Sequence, residues 1–390
     1  MQPHKQLNVS RRTMIKIDRM LMIGSAGTNV GKTELACALL RRFSVQRDIA
    51  AIKVTAIGDK DGQCPRGGEG CGVCSSLEGN FSISQETDRH SDKDTSRLLS
   101  AGASRVYWLR VLKTHLEEGA AALVETLGAH TTCICESNSL RRVVEPGLFL
   151  LARRQNSKPW KESAQQVQRY ADRIATARET TFDLDLNRIE LVGGKWKLRE
   201  KAAAIILAGG DSRRMGTDKS MLPVSGQPLI AGICEQLREC FDQVLVSAND
   251  ADKLAFLDLE IIPDRVPGQG PLMGIASTLE ASAHELNFVL ACDIPHVELR
   301  YVRRMLSEAA ETRADIVVPI TGERQYEPLF AVYRKSALEA INKVLSSGGR
   351  KITDAFALCE VTCVELDTDL VNLNTMAEYE KFRKGLGRQT

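Results

Sequence analysis

Short apolar runs alternate with stretches of helical character, such as residues 34–43, along both halves of the chain. An unbroken apolar run is typical of a strand that is buried on both faces of a parallel sheet. The regular alternation with helices predicts two α/β domains, each a Rossmann-like three-layer fold around a mostly parallel sheet. The predicted strands cover residues 19–25, 49–54, 131–135, 202–207, 244–246, 260–262 and 288–291.

The end of the first half departs from this alternation. Residues 158–177 carry apolar positions at helical spacing, which predicts an amphipathic helix. Residues 181–199 show short alternating runs around a Gly-Gly pair, which predicts a β-hairpin that completes the first domain. A charged run follows, so we predict a first domain over residues 1–199 and a second over residues 200–390.

The composition is that of a soluble globular protein and narrows the classes of partner. The chain has 390 residues, of which 43% are hydrophobic and 26% charged, and this length predicts about two or three domains. A net charge of +2 gives no support to binding of nucleic acid or of a membrane surface. Residues 1–18 lack the apolar core of a signal peptide, and no run reaches the roughly eighteen apolar residues of a membrane span, so we expect a cytoplasmic protein.

Residues 207–219, directly after a predicted strand, have the composition of a phosphate-binding loop. Three glycines allow the backbone to turn with positive φ and to point its N–H groups at an anion, and three basic residues place positive charge at the same point. These residues are Gly209, Gly210, Gly216, Arg213, Arg214 and Lys219. Their spacing matches neither the dinucleotide fingerprint nor a Walker loop.

Three polar side chains, Ser247, Asp264 and Asp293, follow predicted strands of the second half. Because the carboxyl ends of parallel strands meet at one edge of a sheet, we expect them to lie beside the glycine-rich loop. Asp293 is the predicted Mg²⁺ ligand, since a hard carboxylate oxygen suits a metal ion that bridges to the α-phosphate in nucleotidyl transfer. For Asp264, which precedes a Pro-Gly loop, an acid that only forms the turn is the open alternative.

The first half contains a Walker A loop in the strand-loop-helix context that this motif requires. Its residues are Gly27, Thr28, Asn29, Val30, Gly31, Lys32 and Thr33. In such a loop the backbone amides surround the β-phosphate, the lysine reaches the β and γ oxygens, and the hydroxyl of Thr33 would ligate Mg²⁺. Glu136, at the end of a predicted strand, is the candidate for the Walker B acid, and a helix cap or a solvated acid is the open alternative.

The eleven cysteines do not form the pattern of a disulfide framework. Their odd number, scattered along a long chain, indicates reduced thiols. A close C-x₂-C pair in an insertion rich in glycine and charge is compatible with tetrahedral zinc or an iron–sulfur cluster, with free loop thiols as the alternative. The possible ligands are Cys64, Cys71 and Cys74, with Cys133, Cys135 or His90 as a fourth.

The sequence Leu-Ala-Gly-Gly-Asp-Ser-Arg-Arg-Met-Gly-Thr-Asp-Lys at residues 207–219 closely resembles the signature of the molybdenum cofactor guanylyltransferase (MobA) family. Asn372 and Asn374 lie in a segment similar to the terminal Asn-x-Asn-Thr element of that family, and the resemblance spans about residues 200–385. It implies transfer of GMP from GTP to molybdopterin cofactor, which carries molybdenum or tungsten, with release of pyrophosphate.

The same resemblance implies roles for individual residues. It places Mg²⁺ on Asp293 and the positive charges of Lys219 and Arg214 on the phosphates, as the catalytic groups. The family often has asparagine where this chain has Ser247. The implied nucleotide contacts are Leu207, Ala208, Gly209, Gly210, Lys219, Ser247, Asp264 and Asp293.

The order of motifs in the first half resembles MobB, the small P-loop partner of the guanylyltransferase, and the Walker loop is also similar to that of dethiobiotin synthetase. This resemblance implies a P-loop NTPase domain that binds GTP or ATP, and partners among molybdoenzymes or cofactor-insertion proteins. Two alternatives stay open. One is that the second half is a cytidylyl- or sugar-phosphate nucleotidyltransferase. The other is that the first half is a regulatory or carrier module that binds nucleotide without catalysis.

Overall fold

The computed structural model describes residues 14–58, 77–155, 160–178, 181–209, 218–321, 325–366 and 370–386. The chain divides into two compact units, Met1–Leu198 and Arg199–Thr390. Each unit is built on its own eight-stranded sheet.

The strands of the first unit are β1 (Ile15–Ser25), β2 (Ala50–Ile57), β3 (Phe81–Glu86), β4 (Arg105–Leu112), β5 (Cys133–Glu136), β6 (Val144–Arg154), β7 (Arg173–Arg178), β8 (Thr181–Phe182), β9 (Ile189–Val192) and β10 (Lys195–Leu198). Its helices are α1 (Lys32–Phe43), α2 (Asp94–Ser100), α3 (Leu116–Leu127) and α4 (Glu162–Gln165). The sheet has the order β3-β4-β2-β5-β1-β6-β7-β8. The strands from β4 to β7 in this order run parallel, and β3 and β8 add antiparallel edges.

The first sheet is covered on both faces. Successive residues of β1 point to opposite sides, so Met20 and Met22 enter the core that α3 covers, whereas Leu21 and Ile23 enter the core under α1 and α2. The β9–β10 hairpin packs into this second core. A central strand that is covered on both faces therefore needs apolar residues at successive positions, which explains the unbroken apolar run of residues 20–23 in β1.

The predicted helix over residues 158–177 is wrong. The structure has only the short helix α4 in this stretch, then a 3₁₀ turn at Gln168–Tyr170, and then the strand β7. β7 forms a parallel ladder with β6, so pairing with a sheet edge outweighs the helical spacing of a few apolar residues. The predicted hairpin at the end of the unit is confirmed by β9 and β10, which pair antiparallel.

The strands of the second unit are β11 (Glu200–Leu207), β12 (Pro223–Val224), β13 (Gln227–Pro228), β14 (Phe241–Ser247), β15 (Glu260–Ile262), β16 (Leu286–Ala291), β17 (Ile316–Thr321), β18 (Gln325–Tyr326), β19 (Phe330–Arg334) and β20 (Val361–Glu365). Its helices are α5 (Leu229–Arg238), α6 (Ala251–Leu254), α7 (Pro271–Ala281), α8 (Leu299–Thr312), α9 (Ala337–Ser346), α10 (Ile352–Phe356) and α11 (Met376–Leu386).

The second sheet has the order β15-β14-β11-β16-β19-β17-β18, with β20 also paired to β17. The four strands from β15 to β16 run parallel, whereas β19 runs antiparallel to both β16 and β17. Ala204 and Ile206 face a core with α5 and α8, and Ile205 and Leu207 face a core with α7 and α9. The unit is thus a three-layer α/β fold on a mixed sheet. Within the described ranges, no helix combines the length and the apolar character needed to cross a membrane.

Candidate functional site

The carboxyl ends of β15, β14, β11 and β16 meet at one edge of the second sheet. In the pairing register, Leu207 lies opposite Ser247 on one side and Ala291 on the other. Asp264 and Asp293 follow the last residues of β15 and β16 by two positions. The three polar residues therefore gather at one edge, as the alternation of strands and helices predicted.

An ammonium and two oxygen-bearing side chains share one point of this edge. Lys219 Nζ lies 3.5 Å from Asp293 Oδ2 and 3.2 Å from Asn374 Oδ1. The side chains of Lys219 and Asp293 are 19% and 25% exposed, so the pair is shielded but open to a ligand. Partial shielding strengthens the interaction of these charges with a polyphosphate or a metal ion.

Asp218 anchors the chain immediately before Lys219. Its Oδ1 accepts hydrogen bonds from Ser220 N at 2.9 Å and Ser220 Oγ at 2.7 Å, and its Oδ2 pairs with Lys253. Burial works against the charge of Asp218, but the bonds from Lys253 and Ser220 hold its pKa below the ordinary value. The backbone that carries Lys219 is thereby fixed from two sides.

The segment before α11 is attached to the end of β16. Leu373 N donates to Asp293 O at 2.8 Å. Glu378, in the first turn of α11, accepts a hydrogen bond from Asn374 N at 2.8 Å. These bonds hold the amide of Asn374 against Lys219, so the segment that resembles the terminal family element does reach the site.

Gly274 in α7 lies against three residues of the site. A Cβ at this position would lie 2.6 Å from Ser247 Oγ, 3.4 Å from Leu207 Cδ2 and 3.5 Å from Asp264 Oδ1. The absence of a side chain at Gly274 therefore lets the hydroxyl of Ser247 and the carboxylate of Asp264 face a common space. Ser247 is buried, and its hydroxyl lies directly against α7 at Gly274.

Sequence reasoning missed two polar residues at this edge. Asn249 exchanges two hydrogen bonds with Asp264. Glu327 lies just before β19 and accepts a bond from Thr321 Oγ1 at 3.2 Å; burial raises its pKa, and the charge of Asp293 adds to this effect. β19 is antiparallel to β16, so its beginning lies at this edge, and nothing in the spacing of apolar residues marks such a reversal.

Part of the predicted loop falls outside the described residues. Gly210 and Arg214 belong to that part, and their roles stay predictions. The preceding residues are described: Ala208 N donates to Ser247 O at 2.9 Å, and Gly209 follows at the edge of the sheet.

A family model described as a MobA-like NTP transferase domain matches residues 204–360. The probable molybdenum cofactor guanylyltransferase of Natranaerobius thermophilus is 34% identical over 204 residues, which cover 49% of this chain and 99% of that protein. The corresponding protein of Carboxydothermus hydrogenoformans is 36% identical over 188 residues, which cover 46% of this chain and 93% of that protein. The chain belongs to the molybdenum cofactor guanylyltransferase family.

Membership in the guanylyltransferase family makes the chain a nucleotidyltransferase, which confirms the prediction from the glycine-rich signature. The matched residues include Lys219, Ser247, Asp264 and Asp293, whereas Asn374 lies beyond them. Among solved structures, molybdopterin-guanine dinucleotide biosynthesis protein A from Archaeoglobus fulgidus is 24% identical, with a TM-score of 0.43, covering 48% of this chain and 99% of that chain.

This guanylyltransferase carries a second charged cluster, at the carboxyl edge of its first sheet. Lys32 Nζ lies 3.7 Å from Glu136 Oε2. Glu136 is fully buried, and among the described residues neither of its carboxylate oxygens has a hydrogen-bond partner of normal geometry. Burial raises the pKa of Glu136, against the opposing charges of Lys32 and Lys53. A carboxylate buried in this way is costly and is characteristic of functional sites.

The loop of residues 26–31 joins β1 to α1 next to this carboxylate. Asn29 and Gly31 adopt φ of 53° and 85°, and Gly31 leads into α1 without a side-chain cap. The first N–H groups of the helix, at Lys32 and Thr33, are thus not used by a cap and are available to an anion. The loop and Lys32 thus lie together at this edge, and the P-loop assignment stays a prediction.

Lys53 and Asp94 extend this cluster. Lys53 lies opposite Glu136 in the register of β2 and β5, and its ammonium pairs with Asp94 at the start of α2. Burial opposes ionisation of Asp94, but Lys53 and then Lys32 hold its pKa below the ordinary value. Sequence reasoning gave Asp94 no role in the site, because its contact with Lys53 joins residues that are 41 positions apart in the chain.

The predicted zinc or iron–sulfur cluster gains no support. Cys64, Cys71 and Cys74 lie outside the described residues. Cys133 and Cys135 are buried in β5, and burial raises the pKa of Cys133 to about 12. In the part of the chain that the structure describes, no three His, Cys, Asp or Glu side chains are grouped to hold a metal ion.

Proposed function

We propose that the second unit transfers GMP from GTP to the terminal phosphate of molybdopterin cofactor, which carries molybdenum or tungsten, with release of pyrophosphate. The observation that carries this proposal is the pairing of Lys219 with Asp293 at the sheet edge of a chain that belongs to the guanylyltransferase family. The attacking phosphate is ionised at neutral pH, so the reaction needs no general base. It needs groups that position two anions and neutralise their charge.

Lys219 is the group that faces the phosphates of GTP in this proposal. Its ammonium exchanges its bond with Asp293 for charge-assisted hydrogen bonds to phosphate oxygens, which are roughly twice as strong as neutral ones. Asp218 and its partners hold the backbone of Lys219 in place, so little reorganisation is needed. Arg214 is proposed to add a second positive charge to the same phosphates.

The residues around Asp293 suit Mg²⁺. The carboxylate of Asp293 and the amide oxygen of Asn374 are hard oxygen donors next to one another at a partly exposed position. We expect Asp293 to hold the ion, with Asn374 beside it. When bound, Mg²⁺ neutralises charge on the triphosphate and on the leaving pyrophosphate.

The nucleotide is proposed to lie along the end of β11. Leu207, Ala208 and Gly209 would approach it through their backbone, and Ser247 and Asp264 would contact it from the neighbouring strand ends. The support for this proposal is that Leu207, Ser247 and Asp264 converge on one glycine of α7.

The test is to give the purified full chain molybdopterin with each of the four nucleoside triphosphates in turn and to identify the products by mass spectrometry. We expect a GMP adduct and pyrophosphate, which depend on Mg²⁺ and are lost in Asp293→Asn. Asp354→Asn, which changes an exposed acid of α10, is the matched control. A CMP or UMP adduct in place of the GMP adduct would establish the rival nucleotidyltransferase.

The first unit is proposed to bind a nucleoside triphosphate with Mg²⁺ at its P-loop. The specific observation in favour is the buried carboxylate of Glu136 beside Lys32 and Thr33, with Lys53 and Asp94 next to it. Thr33, Asp94 and Glu136 supply the oxygen donors that a phosphate-bound Mg²⁺ prefers. In this proposal, nucleotide turnover in the first unit is coupled to delivery of the molybdopterin cofactor within the same chain.

Nucleotide binding by the first unit is tested by photo-crosslinking of azido-GTP and azido-ATP, followed by mapping of the labelled peptides. We expect label in the peptide that contains residues 26–33, and its loss in Lys32→Ala under conditions where circular dichroism shows this variant to be folded. Lys113→Ala, which changes a lysine of a 3₁₀ turn after β4, is the control. Label that persists in Lys32→Ala would refute the P-loop assignment.

A further inference from the structure

Two loops at the carboxyl edge of the second sheet are joined by a side chain. Asn249 Nδ2 donates to Asp264 Oδ2 at 3.0 Å, and Asp264 N donates to Asn249 Oδ1 at 2.8 Å. The side-chain amide of Asn249 therefore forms a ring of two hydrogen bonds with Asp264, one with its main-chain N–H and one with its carboxylate. Such a ring fixes the rotamer of Asp264, which a single bond would not do.

The ring is not needed to hold the two loops together. The ladder between β14 and β15 ends with Ser247 opposite Ile262, and Ala248 N still donates to Ile262 O at 3.1 Å. The backbone thus already joins these loops up to their last paired residues. Asn249 therefore contributes the orientation of the Asp264 carboxylate.

Asn249 occupies one carboxylate oxygen of Asp264 and turns the other toward the site. Oδ2 accepts from Asn249, whereas Oδ1 lies 3.5 Å from where a Cβ of residue 274 would stand, on the side of Ser247. The carboxylate has lone pairs left on Oδ1, and these are acceptors only. A ligand that reaches this space beside Gly274 is therefore recognised through an N–H or O–H donor.

We propose that Asn249 is a positioning residue that sets the preference for guanine, by holding Asp264 Oδ1 where it accepts a hydrogen bond from the 2-amino group of the base. This inference rests on the proposed function, because it takes GTP as the nucleotide at this edge. A site built to accept a substrate N–H rejects an analogue that lacks it far better than an apolar pocket would. Inosine triphosphate is that analogue, since it differs from GTP only in lacking the 2-amino group.

The experiment compares kcat and KM of GTP and ITP in nucleotidyl transfer to molybdopterin, for the full chain and three variants. Asn249→Ala removes the ring, and Asn249→Asp replaces the donor by a carboxylate that repels Asp264. Asn342→Ala is the matched control, because Asn342 is a half-buried asparagine of the same unit and accepts one bond from the side chain of Arg265, at 2.7 Å. Thermal unfolding of each variant checks that it is folded.

We expect the ratio of kcat/KM for GTP over ITP to fall about tenfold or more in Asn249→Ala and Asn249→Asp, as loss of one well-placed hydrogen bond implies. The change should lie in KM for GTP, with kcat at saturating GTP within about twofold, and Asn342→Ala should keep the wild-type ratio. A ratio unchanged in folded Asn249→Ala, or a wild-type chain that does not prefer GTP over ITP, would overturn the proposal.

Failure of the proposed function is distinguishable from failure of this inference. If the wild-type chain transfers no nucleotide to molybdopterin, the proposed function fails. Calorimetric titration of GTP and ITP then still tests Asn249, in a chain whose P-loop is disabled by Lys32→Ala with Glu136→Gln. Equal loss of the GTP preference in binding by Asn249→Ala supports the positioning role, and an unchanged preference refutes it.

Discussion

Lys219 lies in hydrogen-bond distance of Asn374, 155 positions further along the chain, and in the same place it pairs with Asp293, 74 positions away. One ammonium thus joins the end of the signature loop, the end of a central strand and the segment before the last helix. Each of these three segments is anchored by its own backbone bonds, so the position of Lys219 is set before any ligand binds. Such preorganisation is the main source of electrostatic catalysis.

Replacement of Lys219 by alanine should reduce guanylyl transfer severely. We expect kcat/KM for GTP to fall about 100- to 1,000-fold, the usual effect of removing one preorganised charge from a transition state. Steady-state release of pyrophosphate measures this effect. Lys343→Ala, which removes an exposed lysine of α9 that pairs with Glu339 four residues before it, should retain full activity. Transfer at the wild-type rate by folded Lys219→Ala would exclude Lys219 from catalysis.

Gly274→Ala should be destabilising although alanine is the better helix former. The new Cβ would lie 2.6 Å from Ser247 Oγ, so we expect a loss of about 1–3 kcal/mol in the free energy of unfolding and a higher KM for GTP. In Gly232→Ala, in the interior of α5, the Cβ meets only the end of the flexible Gln227 at 3.4 Å, and a gain of up to about 1 kcal/mol is expected.

A second substitution separates the steric effect of Gly274→Ala from a binding effect. Adding Ser247→Ala removes the oxygen that the new Cβ meets, so stability should return while KM for GTP stays high. Chemical denaturation followed by circular dichroism gives the free energy of unfolding. Equal stability of Gly274→Ala and the wild-type chain would show that the helix yields at this point and that the glycine is not required.

The ion pair of Asp218 with Lys253 predicts a pH-dependent part of the stability of the second unit. The pKa of Asp218 is lowered in the folded chain, so its contribution is present above the ordinary value of 3.8 and is lost as the pH falls below it. Asp218→Asn should therefore cost about 1 kcal/mol at pH 7, a figure reduced by partial exposure, and progressively less as the pH falls below 3.8 through the lowered pKa.

Hydrogen exchange of peptides from the second unit, measured at pH 7, 5, 3 and 2 and corrected for intrinsic rates, follows this contribution. The control is the same substitution in a Lys253→Ala chain, where the pH-dependent part should shrink because the main partner is gone. A cost of Asp218→Asn that is the same at every pH would mean that the charge of the carboxylate is not what stabilises the loop.

In the second sheet the four parallel strands were predicted, whereas in the first sheet only β1, β2 and β5 were predicted and the parallel strands β4, β6 and β7 were not. β1 and β11 have apolar residues at nearly every buried position, because both faces of a central strand are covered. β7 lies near the edge of its sheet and has only two fully buried residues, Ala175 and Thr176, so its pattern was mistaken for a helix. The direction of β19 depends on which strands it pairs with in the sheet, and the pattern of apolar residues does not indicate this pairing.

Within the site, the predictable residues are those that stand at a strand end or in a loop of fixed spacing. Lys219 lies in such a loop, and Asp293 follows a strand end. Asn249 also follows a strand end, but its role depends on a side-chain bond between two loops, and Glu327 lies before an antiparallel strand, which the spacing does not mark. The cluster in the first unit divides in the same way: Lys32 and Glu136 were predicted, and Asp94 was found only from its contact with Lys53.

Lys32→Ala should destabilise the first unit, because it leaves the buried carboxylate of Glu136 without its closest cation. Breaking a buried ion pair from one side typically costs about 3–5 kcal/mol. Burial already raises the pKa of Glu136 above its ordinary value of 4.5, so the folded chain binds a proton there more readily than the unfolded chain does, and this part of the stability is lost as the pH rises from 4.5 through the raised pKa. Without Lys32 this pKa rises further, and the cost should be larger at pH 8 than at pH 5.

The chain offers a selective probe for this measurement. Its three tryptophans, Trp108, Trp160 and Trp196, all belong to the first unit, so fluorescence in urea reports the unfolding of that unit alone. The matched variant is Lys32→Ala with Glu136→Gln, which has no buried charge and should recover most of the lost stability at pH 8. If the double variant is no more stable than Lys32→Ala, or if the cost does not grow with pH, Glu136 is not held in its charged form by Lys32.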